Sequence, residues 1–317
     1  MRIIFMGTPG FAVASLEILI KNKYTIVAVV TSPDKPAGRG QQIQQSPVKE
    51  FALKHGLRIL QPVNLKDESF LNELKALAPD LQIVVAFRML PESVWNLPPL
   101  GTYNIHASLL PNYRGAAPIN WALINGEKES GVTSFKLKHE IDTGSILLQE
   151  KVTIGADMNA GQLHDVLMHT GAELLWRSVR KIEEGNIELV EQSKLLKSGE
   201  EAKHAPKLFK ENCKIDWSKS GVSIHNLIRG LSPYPCAWTE LHSVRANGTS
   251  FKIFTSKFVG SQHTCKAGHI ISDKTDIKVA CLNGFIHIAE LQMSGKKKMP
   301  AAEFLKGFSF EENSFFA

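Results

Sequence analysis

The chain has 317 residues, of which 43% are hydrophobic and 21% charged, a soluble composition long enough for two domains and for a core that needs no disulfide staples. Its net charge of +6 is unevenly spread: residues 1–190 carry 19 basic and 19 acidic groups, whereas residues 191–317 carry 18 and 12. That permits a polyanionic partner for the last third without demanding one. The composition argues against a membrane protein, since no apolar run approaches the ~18 residues of a span. The opening Met-Arg-Ile-Ile-Phe leads into a strand pattern with no signal-peptide layout. Cys213, Cys236, Cys265 and Cys281 form no C-x-x-C pair and suit neither a zinc knuckle nor a disulfide framework. The expectation is a cytoplasmic protein with reduced thiols.

In chain order, Arg2–Met6 reads as a strand, and Phe11, Val13, Leu16, Leu19 and Ile20 recur at helical spacing. Thr25–Thr31 is β-branched and apolar, a buried strand. Ser32–Gly40, rich in Pro and Gly, reads as a loop. Pro47–His55 reads as a helix opened by Ser46, Leu65–Ala78 as another, and Asp80–Ala86 and Tyr103–His106 as strands. This alternation predicts a parallel sheet with helices on both faces, which binds ligands beyond the carboxyl ends of its strands. Residues 192–205 are polar and aperiodic, as in a linker. Ser223–Leu231 is a short helix stopped by Pro233-Tyr234-Pro235. The segments Ala237–Leu241, Phe251–Ser256, His269–Ser272, Ile277–Ala280 and Phe285–Leu291 read as strands of a small barrel or sandwich.

The densest chemical signal lies between Gly101 and Pro118. Asn104 and His106 alternate along a strand, so both point to one face, at its junction with a Pro/Gly-bounded loop. An amide donor beside an imidazole suits chemistry at a carbonyl carbon: Asn stabilises a developing oxyanion, and His moves protons or stabilises that charge. Asp142, in the turn-rich His139–Ser145 stretch, is able to orient the imidazole. Taken singly, such a His or an Asp before Thr-Gly is more often structural. From the residues alone, the reading stops at a carbonyl-directed polar site.

The run Asn104-Ile-His106-Ala-Ser108-Leu-Leu-Pro111-Asn-Tyr-Arg114-Gly115-Ala-Ala-Pro118, followed by Asp142-Thr-Gly144, closely resembles the signature of the folate-dependent formyltransferases. The resemblance implies an N-terminal Rossmann-like parallel-sheet catalytic domain over 1–189, a linker over 190–206 and an OB-like β-barrel over 207–317. It implies a catalytic Asn104, His106 and Asp142, and 10-formyltetrahydrofolate as formyl donor, held by Ser108, Leu109, Leu110 and Pro111 and, near the family's Met/Ile-Leu-Pro segment, by Arg88, Met89 and Leu90. No metal is implied. Gly7-Thr8-Pro9, Pro33–Gly40, Ser46–Lys49, Gln61-Pro62, Ile215-Asp-Trp217 and Pro233-Tyr-Pro235 resemble the branch that formylates methionyl initiator tRNA. That branch implies tRNA contacts from Lys35, Arg39, Gln41, Gln42 and Arg114, and from the Lys296-Lys297-Lys298 run on the basic barrel. A tRNA partner would supply the large interface, so a monomer is expected, and the composition leaves no membrane contact.

Three departures from the family pattern stand out: Gly10 replaces a common acidic residue, Phe87-Arg88 a common Tyr-Gly, and Gln41-Gln42 a more basic pair. Two rival readings share much of the motif. An amino-sugar nucleotide formyltransferase would lack the Pro-Ala-Gly-Arg-Gly loop and the basic last third. A non-catalytic tRNA-binding protein would need a broken Asn-His-Asp set. Gly7-Thr-Pro-Gly10 lacks the G-x-G-x-x-G spacing of a dinucleotide site.

Overall fold

In the computed structural model, which describes every residue except 38–41, 198, 200 and 245–247, the alternation of the first half becomes a seven-stranded sheet. β1 (Arg2–Gly7), β2 (Thr25–Val30), β3 (Ile59–Leu60), β4 (Leu81–Val85) and β5 (Thr102–His106) run parallel, in the spatial order β3-β2-β1-β4-β5. Beyond β5 the direction reverses. β6 (Glu129–Lys136) pairs antiparallel with β5, and β7 (Ile146–Thr153) antiparallel with β6. Residues 137–145 are too few for the crossover that a parallel return requires, so β6 and β7 form a hairpin.

The helices start where capping side chains allow. α1 spans Gly10–Lys21. Ser46 opens α2 (Pro47–Lys54) by accepting the Lys49 N–H at 3.0 Å. α3 spans Glu68–Ala76, three residues shorter at its start than its apolar pattern predicts, because the Asp67 carboxylate takes the N–H groups of Ser69 and Phe70 and sets the cap there. α4 (Ala160–Glu183) buries Leu167, Leu174, Leu175, Val179 and Ile182. A Cβ at its Gly171 would stand 3.2 Å from Ile105 and 3.7 Å from Val132, so the helix lies directly on β5 and β6.

The Ser32–Gly40 stretch, expected to be a loop, carries one arm of a short hairpin: Lys35–Ala37 pairs with Gln42–Gln44. Its base is held by Asp34, whose carboxylate takes Lys49 Nζ at 2.6 Å and Gln61 Nε2 at 2.8 Å. The Lys49 bond, then the Gln61 bond, holds the Asp34 carboxyl below its ordinary range.

Chain compactness divides the molecule into two units. The first contains Met1–Gly115, Glu129–Thr153 and His164–His204; the second contains Ala116–Lys128, Ile154–Leu163 and Ala205–Ala317. In the second, α5 (Gly221–Leu231) accompanies β8 (Ala237–His242), β9 (Thr249–Gly260), β10 (Ile270–Ser272), β11 (Ile277–Cys281), β12 (Gly284–Met293) and β13 (Phe315–Phe316). These strands lie in the order β10-β11-β12-β9-β8-β13. Phe316 N–H to Gly268 O (2.9 Å) and Ile270 N–H to Ser314 O (3.1 Å) join the two ends into a nearly closed barrel. The register of β9 slips between Ile253 and Ser256, a bulge that bends this long strand around a core of Phe251, Ile253, Val279, Ile286, Leu291 and Phe316.

The stretch read as a linker contains ordered structure in the first unit. Val190 exchanges both backbone hydrogen bonds with Ile146 at 2.8 Å, Gln192–Leu195 forms a 3₁₀ turn, and Tyr113 N–H donates to Lys203 O.

Candidate active site

β5 lies between β4 and β6, and its register sets Asn104 beside Val84 and Phe135, and His106 beside Thr133. Alternation along the strand turns both side chains to one face, as the sequence predicts. His106 is 7% exposed. Its Nε2 is 2.8 Å from the Tyr113 carbonyl, which can only accept, so Nε2 carries a proton. Its Nδ1 faces Asp142 Oδ2 at 3.9 Å, an electrostatic contact between two largely enclosed groups. Asn104 is half-buried, and among the described residues its amide has no protein hydrogen-bond partner, which leaves its donors free for a substrate oxygen.

The segment between the two motifs joins them. Tyr113 offers its carbonyl to His106, and Gly115 donates its N–H to Asp142 Oδ2 at 3.0 Å. Asp142 has φ +53°, a left-handed conformation that Asp tolerates better than most side chains. Two residues on, a Cβ at Gly144 would fall 1.8 Å from the Lys136 carbonyl oxygen, so only glycine fits the turn.

Ser108–Pro111 are held chiefly through their backbone. Thr133 Oγ1 donates to Ser108 O (2.7 Å) and accepts from Leu110 N–H (3.1 Å), while Gln149 Nε2 donates to Leu110 O (2.8 Å). Ser108, Leu110 and Pro111 are buried, and Leu109 is half-buried. Neither Thr133 nor Gln149 was singled out in the sequence. Thr133 shares its strand with the buried Ser130 and Ser134, so nothing in the local sequence sets it apart.

Arg88, Met89 and Leu90 line a cavity of about 590 Å³ together with Val63, Leu65, Lys66, Trp95 and His139, but Ser108–Pro111 do not. Arg88 turns its guanidinium onto the carbonyls of Pro62 and Val63, and burial pushes its pKa down. The large cation at a position where the family favours Gly thus braces the cavity wall. Another depression, of about 870 Å³, in the second unit has His263 as its one titratable lining residue, so the clustered polar chemistry is elsewhere.

The residues expected to meet tRNA are less unified. Lys35 is exposed on the hairpin, Arg39 and Gln41 lie outside the described residues, and of Gln42 the strand pairing alone is described. Arg114 donates through Nε (2.9 Å) and Nη2 (2.6 Å) to Gln192 Oε1. Lys296 and Lys297 are exposed on the second unit, while Lys298 pairs with Glu290 at 3.0 Å and covers the Phe254 ring at 4.8 Å. Among the described residues no group of three or more His, Cys, Asp or Glu could hold a metal ion, and no helix is long and apolar enough to cross a membrane.

Asn104 and His106 share one face at the end of β5, and Asp142 in the β6–β7 turn faces the His106 ring, which makes this the clustered polar site of the first unit. Residues 1–179 match the formyl transferase family and residues 207–309 the formyl transferase C-terminal domain, and the chain belongs to the formyl transferase family. Among individual proteins it is 55% identical over 314 residues to the methionyl-tRNA formyltransferase of Flavobacterium johnsoniae, covering 99% of this chain and 98% of that one. In fold it is similar to an N-formyltransferase from Helicobacter canadensis solved with folinic acid and dTDP-3-aminofucose (TM-score 0.67, 21% identity, 94% of this chain and 100% of that one). It is also similar to HypX from Aquifex aeolicus solved with tetrahydrofolic acid (TM-score 0.63, 19% identity), covering 100% of this chain and spanning about half the length of HypX.

Proposed function

We propose that this enzyme transfers the formyl group of 10-formyltetrahydrofolate to the α-amino group of methionyl initiator tRNA, in the compartment where translation starts. The observation that carries the chemistry is the unpartnered amide of Asn104 beside a His106 whose second nitrogen faces Asp142. The choice of acceptor is supported by end-to-end likeness to a methionyl-tRNA formyltransferase and by the basic excess of residues 191–317.

In this reading the deprotonated amine attacks the formyl carbon, forming a C–N bond and an oxyanion. Asn104 Nδ2–H donates to that oxyanion, and His106, aimed by Asp142, adds positive charge when doubly protonated. The carbon's bond to the folate nitrogen then breaks. The proton lost by the amine passes to that nitrogen, and tetrahydrofolate leaves. The cavity beside Arg88, Met89 and Leu90 is within the usual size of small-molecule sites, and its mix of Trp95, Leu65 and Met89 with Lys66 and Arg88 suits a flat ring bearing carboxylates. Ser108–Pro111 are the loop contacts to the folate in this reading, with their backbone held by Thr133 and Gln149. Lys35, Arg39, Gln41, Gln42, Arg114 and Lys296–Lys298 are the tRNA contacts of this reading. The reaction uses no metal, and a monomer suffices.

The test offers the purified protein 10-formyltetrahydrofolate with methionyl initiator tRNA and, separately, with dTDP-amino sugars. Formylation of the tRNA-borne methionine is the expected result. Formylation of the sugar amine alone would overturn the acceptor assignment.

A further inference from the structure

The segment following Val190 is charged and aperiodic in sequence, yet Gln192 is 3% exposed, and every hydrogen-bonding position of its amide is filled. Oε1 accepts from Arg114 Nε (2.9 Å) and Nη2 (2.6 Å). Nε2 donates to the backbone carbonyls of Asp142 and Gly144, both at 2.8 Å. These partners fix the orientation of the amide, because the flipped form would press its oxygen against two carbonyls and its N–H groups against a guanidinium. No other side chain of this size both accepts from a cation and donates to two carbonyls.

Gln192 grips both ends of one contact. Asp142 Oδ2 accepts the Gly115 N–H at 3.0 Å; Gln192 holds the Asp142 carbonyl at one end and Arg114, the neighbour of Gly115, at the other. The Asp142 turn needs such a hold, since its residue 142 sits at φ +53° and its Gly144 has no room to shift toward Lys136. The anchorage of Gln192 is itself firm. The paired hydrogen bonds of Val190 with Ile146 tie its segment to the start of β7, and Glu191 pairs with Lys138 at 3.7 Å.

We propose that Gln192 is a positioning residue for formyl transfer, holding the Asp142 turn against the Arg114–Gly115 segment so that the Asp142 carboxylate stays against His106. This rests on the catalytic reading of Asp142 given above. It also assigns Arg114 a structural partner, which restricts the guanidinium's freedom to meet phosphate.

The experiment compares Gln192→Leu, Gln192→Asn, Asp142→Asn and the two corresponding double variants, measuring kcat, KM for 10-formyltetrahydrofolate, KM for methionyl-tRNA, and thermal unfolding. Both Gln192 variants are expected to lower kcat about 10- to 100-fold, the usual effect of misplacing a group by ~1 Å. KM for the donor stays within about twofold of wild type if the effect acts through Asp142 rather than through the cavity wall. In the double variants the Gln192 change adds nothing to the loss from Asp142→Asn, because the group it positions is already disabled. Multiplicative losses, a wild-type kcat in either Gln192 variant, or failure of both to fold cooperatively would overturn the proposal. Normal turnover in Asp142→Asn would instead overturn the catalytic reading itself, which separates the two failures.

Discussion

Replacing Gly144 with Ala perturbs the candidate site from behind, without touching any group that meets substrate. The added Cβ would lie 1.8 Å from the Lys136 carbonyl oxygen and 2.9 Å from both the Lys136 carbonyl carbon and Phe135 Cδ2, where real Cβ contacts do not fall below 3.0 Å. The worst contact is with backbone, in a strand paired on both sides, so the yielding part is the turn. It must move by more than 1 Å, carrying Asp142 away from a His106 nitrogen now 3.9 Å distant and stretching the Gln192 bond to Gly144 O. A displacement of that size costs about 10²-fold in turnover, and overpacking costs about 1–3 kcal/mol of stability. The assay is steady-state formyl transfer together with thermal unfolding. Gly10→Ala is the control, because a Cβ there meets nothing within 4 Å. A Gly144→Ala enzyme with wild-type kcat would refute the reasoning, showing that the placement of Asp142 does not govern the reaction.

Changing Lys296 and Lys297 to Ala is expected to weaken tRNA binding and to reduce its salt dependence by about one unit of slope per residue; an unchanged slope would remove the run from the tRNA surface. The pKa of His225, on α5, is lowered first by burial and then by Arg229, against an opposing pull from Asp157 at 3.7 Å. A depressed His gives stability that is present above its unfolded pKa of ~6.5 and is lost as pH falls. The melting temperature is therefore expected to drop on acidification below that point, and to drop less in His225→Asn; identical pH profiles would contradict this. Cys213, Cys236 and Cys281 are buried, with burial pushing the Cys236 thiol up to about 12, while Cys265 is partly exposed. A thiol reagent added to the folded protein should label Cys265 alone, and equal labelling of all four would show that the barrel opens readily.

Much of this architecture is legible in the sequence where a local rule governs it. Asn104 and His106 share a face because strands alternate, α2 starts at a capping Ser, and five of the barrel strands follow their apolar alternation. Features governed by tertiary contacts are hidden. β6 is buried on both faces from Ser130 to Phe135, so it shows no alternation, and the short turn after it fixes only its antiparallel pairing with β7. β13 is two residues long, too short to carry a period. Gln192 looks like solvated linker because its burial is driven by four hydrogen bonds to groups distant in sequence rather than by an apolar face. Arg88, an odd residue beside a cavity, becomes understandable only once the Pro62 and Val63 carbonyls are seen to receive it.

The most direct test of the central claim is single-turnover formyl transfer from 10-formyltetrahydrofolate to methionyl initiator tRNA by Asn104→Ala, with both substrates saturating. Loss of one oxyanion donor predicts a rate reduced by about 10²–10³-fold with the protein folded and tRNA affinity retained. A rate within a few-fold of wild type would contradict the assignment of the reaction to the Asn104, His106 and Asp142 site.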